Sequence, residues 1–307
     1  MPTFTMMVGL PASGKSTYAH NMNVPVVSSD EIRKAYGYSQ KEKDKTFERV
    51  RLEIHLLAQS GKSFVYDATN LHRKYRMQML DIVSAYDPGY TCECIVMATP
   101  FLECKNRNAE RTNDRVPDEV LEKMLRYFQV PSCYEGFDKI EVVRSYSAAR
   151  ELLSYKQAMD FRQDNPHHTL TLGYHMLAAA DFGTKFAIEE QRSDIEVAGI
   201  AEILKYHDIG KLKCKKFENA KGEPTKIAHY YGHENVGAYF ALCEDIDIKN
   251  PILEPLELAF GIEFHMRPTL VWNNPQAKKA TQRDFAFLPQ ETIDILKIIG
   301  RADKEAK

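Results

Sequence analysis

The chain has 307 residues, of which 44% are hydrophobic and 27% charged, and a formal net charge of -2. That length is comfortable for two domains of ordinary size. The charge excludes the overall basic character that carries non-specific duplex binding, so a nucleic-acid substrate would have to be gripped locally.

No apolar run approaches the roughly 18 residues that a membrane helix needs. The opening MPTFTMMVGLPASGKST lacks the charged and long apolar regions of a signal peptide. The six cysteines are scattered without paired metal spacing, which predicts free thiols, a cytoplasmic protein and no membrane partner. Short apolar runs at 4–8, 25–27, 63–66, 91–97 and 140–143 read as strands. Amphipathic segments at 31–36, 47–59 and 73–86 lie between them. Short apolar strands separated by helices predict a parallel sheet covered on both faces, here an α/β domain over residues 1–147. From residue 148 onward helical periodicity dominates, over 148–161, 175–186, 194–206, 233–244, 252–264 and 290–303, with no convincing strand series. An all-α second domain over 148–307 is the expectation.

The sharpest local signal is Gly9-Leu-Pro-Ala-Ser13-Gly14-Lys15-Ser16-Thr17, which fits the P-loop pattern G-x-x-x-x-G-K-[ST]. Its glycines let successive backbone N–H groups turn inward and cradle phosphates at a helix N-terminus. Gly9, Ser13, Gly14, Lys15, Ser16 and Thr17 are therefore candidate ATP (or other NTP) contacts, with Lys15 on the β- and γ-phosphates and Ser16 on Mg2+. Asp30 and Asp67 each follow an apolar run, at the strand ends where ligands of an open parallel sheet gather. Asp30 there can accept the proton of an attacking hydroxyl or cap the helix that follows. Arg33, one turn on, can pair with a phosphate. Asp67 can hold a metal-bound water or orient an arginine, or belong to an Asp-Thr-Asn turn. Arg73 and Arg76 follow it at a three-residue spacing. Arg107 and Arg111 stand at i,i+4 on an expected lid helix, where guanidinium groups can neutralise a transferring phosphoryl group or simply face solvent.

The order GLPASGKST, SSDEIRK, DATNLHRKYR and RNAERTNDRVP resembles the kinase domain of phage-type 5′-hydroxyl polynucleotide kinases over residues 1–146. The resemblance implies Lys15 and Ser16 as triphosphate and Mg2+ contacts and Asp30 as the general base. It implies Arg33 on the acceptor phosphate, Asp67 supporting the site and Arg111 as the lid arginine. One extra residue before Val116-Pro117 leaves Arg107 or Arg115 as substitutes. The wider group with these four segments also contains small-molecule kinases.

The second half carries His207-Asp208-Ile-Gly210-Lys211, an adjacent nitrogen and oxygen ligand pair that suits a divalent metal of intermediate hardness. His175, His233, His265 and Asp303 are further ligand candidates in helical contexts, six in all and enough for two metals. Lys211 can bind a phosphate oxygen. His167, His168 and His229 show that the region is simply histidine-rich. Asp303 lies close to the last residue, where fraying is common. The segments from Asn165-Pro166-His167-His168 to His175, with HDIGK and Gly232-His233-Glu234, resemble the HD superfamily of phosphohydrolases over residues 160–307. That resemblance implies His175, His207, Asp208 and Asp303 as core ligands of Mn2+, Ni2+, Co2+ or Fe2+. A kinase joined to a phosphoesterase predicts healing of nucleic-acid ends, RNA more than DNA, ahead of a ligase. The alternative is a small-molecule or nucleotide kinase with an HD nucleotide phosphohydrolase.

Overall fold

Runs of apolar residues with no polar face need burial on both sides, and the first half supplies it. Phe4, Met6, Met7 and Val8 are fully buried in β1 (Thr3–Val8). Beside it lie β2 (Val26–Ser28), β3 (Phe64–Asp67), β4 (Thr91–Ala98) and β5 (Lys139–Arg144), in the order β2-β3-β1-β4-β5. Every neighbouring pair is parallel, with Met6 of β1 opposite Tyr66 and Cys94. The connecting helices are α1 (Lys15–Asn21), α2 (Ser29–Ala35), α3 (Lys43–Gln59), α4 (Arg73–Tyr86), α5 (Phe101–Ala109) and α6 (Asp118–Arg126). A parallel sheet whose strands are joined by helices places the ends of β1, β2, β3 and β4 along one edge, and the predicted phosphate-site residues follow those ends.

The structure is a computed structural model that describes residues 1–306 except 40, 41, 87, 88, 167 and 168. It divides into a unit of Met1–Met124 with Pro131–Ala149 and a unit of Leu125–Val130 with Arg150–Lys307.

The second unit is largely helical. Its helices are α7 (Tyr155–Met159), α8 (Leu172–Glu189), α9 (Asp194–Tyr206), α10 (Lys211–Cys214), α11 (His233–Leu242), α12 (Pro255–Phe264), α13 (Lys278–Phe287) and α14 (Gln290–Glu305). The last helix packs against α8 and α9, and Ala306 just beyond it is buried, so the frayed end anticipated for Asp303 does not occur.

Three expectations fail here. The helix expected over 148–161 is confined to α7. Leu153 instead makes a parallel bridge with Ile246, its N–H donating to the Asp245 carbonyl (2.8 Å) while its own carbonyl accepts from Asp247 N–H (2.9 Å). Two strands that the sequence did not announce, β6 (Lys216–Glu218) and β7 (Pro224–His229), form an antiparallel hairpin. They lacked an apolar alternation because most of their residues are exposed. Helix α13 was also unforeseen. His167 and His168, quoted in the resemblance, lie outside the described residues.

Candidate active sites

The loop after β1 adopts the conformation its sequence demands. Gly9 has φ 155°, and a Cβ there would sit 2.9 Å from Ser13 Oγ and 3.1 Å from the Met97 carbonyl oxygen. Gly14 at φ 94° precedes α1. Both backbones lie where side chains are disfavoured, which explains the glycines. Lys15 is buried at the start of α1, its Nζ donating to the Leu10 carbonyl at 2.7 Å. Burial lowers its pKa against the opposing pull of Asp67. Ser16 donates its hydroxyl to Asp67 Oδ2 at 2.6 Å, so the hydroxyl and carboxylate expected on Mg2+ already touch. Ala12, Gly14, Lys15, Ser16, Thr17, Arg107 and Arg111 line one cleft. Thr99, at the end of β4, holds this loop by donating to the Ser13 carbonyl at 2.9 Å. The sequence offered no sign of that role.

Asp30 is the second residue of α2, and the cap is Ser28, which accepts from Glu31 N–H. Asp30 is therefore not the helix cap. Its side chain is 73% exposed and accepts from Arg33 Nη1 at 2.6 Å. Arg33 keeps a buried Nε with no hydrogen-bond partner. The expected lid helix is interrupted, because α5 ends at Ala109 and Arg111 lies beyond it. Arg107 and Arg111 thus share no continuous helical face, although both reach the cleft. Arg115 does not line it and approaches Asp118 at 3.9 Å. Arg76 is fully buried and bidentate on Glu135 (2.6 and 2.7 Å), which makes it a structural arginine. Arg73 approaches the same carboxylate at 3.6 Å.

In the second unit the six predicted ligands converge. His175 lies on α8, His207 caps α9 and Asp208 follows it. His233 opens α11, His265 caps α12 and Asp303 lies on α14. His175, His207, Asp208 and Asp303 form one group, and Asp208, His233 and His265 another. Asp208 joins them. Its Oδ2 is 3.2 Å from His175 Nε2 and 3.3 Å from His207 Nε2. Its Oδ1 is 2.9 Å from His233 Nε2 and 3.6 Å from His265 Nε2. Asp303 Oδ1 lies 3.1 Å from His175 Nε2 and 3.4 Å from His207 Nε2.

These atoms fit divalent metals on two counts. Ligands bound at about 2.1 Å stand about 3.0 Å apart at right angles and about 3.4 Å at the tetrahedral angle, as these do. Moreover, Asp208 Oδ1, His233 Nε2 and His265 Nε2 are buried and make no hydrogen bond, despite the short distance between the first two. Such atoms are costly unless something else satisfies them. Each histidine points Nδ1 at a carbonyl: His175 at Ala306 (3.0 Å), His207 at Leu204 (2.6 Å), His233 at Tyr230 (2.8 Å) and His265 at Ile262 (2.6 Å). Donation from Nδ1 leaves every Nε2 lone pair for a metal.

Charge is balanced inside the cluster. Burial opposes a proton on His175 and His207, yet Asp208 and Asp303 outweigh it and raise both, His207 to about 10. Burial likewise opposes charge on Asp208, but Lys211 and His207 hold it well below the usual carboxylate range. Burial, aided by His207 and His233 and opposed by Asp208, pushes His265 down. Lys211 reaches Asp208 Oδ2 at 2.6 Å and Gln163 Oε1 at 3.0 Å. Gln163, itself buried, is a contact that the sequence did not reveal. Gly210 is required by packing, since a Cβ would lie 2.1 Å from the His233 carbonyl oxygen. His229 stands apart, stacked on Tyr231.

A parallel sheet with its phosphate-binding loop on the central strand defines the first unit as a P-loop α/β domain. Residues 4–131 match the family model described as AAA domain. Among solved structures, a protein from Chloroflexus aurantiacus J-10-fl aligns at 16% identity and TM-score 0.39, over 46% of this chain and 84% of its own. A sugar kinase from Janibacter sp. HTCC2649 aligns at 17% and 0.36, over 47% and 85%. A gluconokinase from Sinorhizobium meliloti 1021 aligns at 18% and 0.34, over 46% and 82%. No curated protein matches the chain. Among the described residues, no helix is long and apolar enough to cross a membrane.

Proposed function

We propose that the chain is an ATP-dependent kinase joined to a metal-dependent phosphohydrolase. The observation that carries this reading is the coexistence of a built P-loop cleft with a buried cluster of four histidines and two aspartates. In the first unit, Lys15, Arg107 and Arg111 surround the triphosphate with positive charge. Ser16 and Asp67 would hold Mg2+, which when bound would supply positive charge to offset that of the phosphates. Asp30, exposed and free of capping, accepts the proton of the acceptor hydroxyl, and Arg33 holds both Asp30 and the acceptor.

In the second unit, His175, His207, Asp208 and Asp303 would hold one divalent metal, and Asp208, His233 and His265 a second. Bound metals there supply Lewis acidity to a phosphate ester. Lys211 lies against Asp208 Oδ2, placed to give a phosphate oxygen a fixed positive partner.

Two acceptors fit the kinase half. The resemblance to 5′-hydroxyl kinases, together with a phosphoesterase in the same chain, favours an RNA end: one unit adds the 5′-phosphate and the other clears a 2′,3′-cyclic or terminal phosphate before ligation. A small hydroxyl compound or nucleotide is favoured by the paired cations at the acceptor edge. Arg33 is engaged with Asp30, Lys34 with Asp114 (2.6 Å) and Arg73 with Glu135. Beyond the single acceptor contact given to Arg33, these pairings leave little uncommitted charge among the described residues for a long phosphodiester backbone. Incubation with γ-labelled ATP separates them: label on a 5′-hydroxyl oligonucleotide supports the first, and label on nucleosides or sugars alone supports the second. Absence of transfer to every acceptor, with Asp30→Ala indistinguishable from wild type, sinks the kinase itself.

A further inference from the structure

The β6–β7 hairpin lies in a lysine-rich stretch of the chain. Residues 211–231 carry six lysines against two glutamates, in a protein of formal net charge -2. Lys213 and Lys215 are engaged with Glu151 and Asp164, at 2.7 Å each. Lys216, Lys221 and Lys226 are exposed and have no ion pair among the described residues. Apolar groups stand among them in the open, with Phe217 46%, Ile227 41% and Tyr231 47% exposed. Tyr231 also stacks on His229 at 5.3 Å with only 5° between the rings.

These side chains continue inward as alternating rings and ammonium groups. Lys215 Nζ lies 5.9 Å from the Phe217 ring and 4.7 Å from the Phe161 ring. Phe161 meets Tyr230 at 6.3 Å, and Lys211 Nζ stands 5.4 Å over Tyr230. Lys211 then touches Asp208, the residue common to both ligand groups. An exposed hairpin and a buried histidine–aspartate cluster are thus two ends of one run of contacts.

We propose that this hairpin, with Phe161 and Tyr230, is a docking track for a single-stranded polynucleotide whose terminal phosphate enters the histidine–aspartate cluster; the proposal rests on the phosphohydrolase reading above. Aromatic faces that stack on bases, interleaved with cations that follow the backbone, are what single strands require. A neutral protein partner would leave the lysine excess unmatched. A membrane surface cannot follow the track inward to the buried Lys211 and Asp208. Stacking tolerates any base, so the track selects for strandedness and charge rather than sequence.

The test uses the full-length protein with a 5′-fluorescein strand of about 12 nucleotides ending in a 3′-phosphate, as RNA and as DNA, in chelator so that nothing is cleaved. Anisotropy titrations at low and moderate salt give the affinity. Phe217→Ala should weaken binding about tenfold or more. A triple change, Lys216→Glu with Lys221→Glu and Lys226→Glu, should weaken it further and flatten the salt dependence by about 2 in log–log slope. All four positions are exposed, and an unchanged melting temperature confirms the fold. Preference for RNA or DNA in wild type identifies the polymer, and either one carries the proposal if both variants lose it. Wild-type affinity in both variants, or no strand binding by wild type at low salt, overturns it. Turnover of bis-p-nitrophenyl phosphate by wild type with Mn2+ is measured separately. Its absence defeats the phosphohydrolase reading, and is distinguishable from loss of the track.

Discussion

Replacing Asp208 by alanine tests the two-metal arrangement at the residue both groups share. Oδ2 faces His175 and His207 at 3.2 and 3.3 Å, while Oδ1 faces His233 and His265 at 2.9 and 3.6 Å. The first group keeps three of its four candidate ligands without Asp208, and the second keeps two of its three. Loss of a group that only hydrogen-bonds a metal ligand costs about 10- to 100-fold in affinity, so loss of a ligand itself should cost at least about 100-fold at each site, or about 2.8 kcal/mol. A metal present at 100 times its Kd stabilises the folded state by about 2.7 kcal/mol. For a unit of this size that is a rise in melting temperature of about 5–10 °C.

Metal-stripped protein titrated with Mn2+ should show this rise in wild type and lose it in Asp208→Ala. His265→Ala, which removes a candidate ligand of the second group alone, should abolish one equivalent of bound metal by elemental analysis and leave the other. The bridging role of Asp208 fails if Asp208→Ala retains two equivalents at wild-type affinity. It also fails if His265→Ala empties both sites.

Asp30→Asn should lower kcat of phosphoryl transfer about 10²- to 10⁴-fold with little change in KM for ATP, because the side chain serves the acceptor and not the triphosphate; a rise in the ATP KM with kcat intact contradicts the role. Arg76→Met leaves Glu135 buried without the bidentate partner it holds at 2.6 and 2.7 Å, and urea unfolding should report a loss of about 3–5 kcal/mol, recovered in part by adding Glu135→Leu. His207, raised to about 10 from 6.5, contributes stability in the metal-free protein that is complete below pH 6.5 and fades as pH rises through about 10. Metal entry expels that proton, so Mn2+ affinity should climb with pH across the same window, and a flat profile counts against His207 as a ligand. Gly210→Ala, with its Cβ 2.1 Å from the His233 carbonyl oxygen, must displace the start of α11, and should cost about 1–3 kcal/mol and weaken the second metal more than the first.

What could be read from the sequence divides along local and non-local lines. The phosphate loop was legible because its backbone excludes side chains at Gly9 and Gly14, and a requirement of that kind is written in residue type. The strands of the sheet were legible because burial on both faces leaves a purely apolar run. Helix ends were less so: nothing in RNAERT announces that α5 stops at Ala109, and the i,i+4 argument for Arg107 and Arg111 failed there although the cleft still collects both. The stretch around Leu153 has helical periodicity, but its backbone is claimed by Asp245 and Asp247, which lie far along the chain. Strands β6 and β7 bury almost nothing and so carry no pattern to find. Thr99 and Gln163 act through single contacts, to the Ser13 carbonyl and to Lys211, that only the fold creates.

The histidine–aspartate cluster was legible through the adjacent His207-Asp208 pair, and the structure adds how its rings are aimed. Three of the four ligand rings bond through Nδ1 to a carbonyl three residues earlier: His207 to Leu204, His233 to Tyr230 and His265 to Ile262. Two of these follow the last residue of a helix and one opens a helix. Each ring is therefore aimed by a carbonyl of its own local turn. The fold has only to bring three helix ends together to present three lone pairs to one place. His175 lacks that local anchor and depends on the Ala306 carbonyl at 3.0 Å, so its orientation is hostage to the docking of α14. The same helix brings Asp303. Trimming the chain before Ala306 should thus disturb His175 and Asp303 together while leaving His233 and His265 aimed. The first metal group should lose affinity before the second, a difference that metal titration of the truncated protein reads directly.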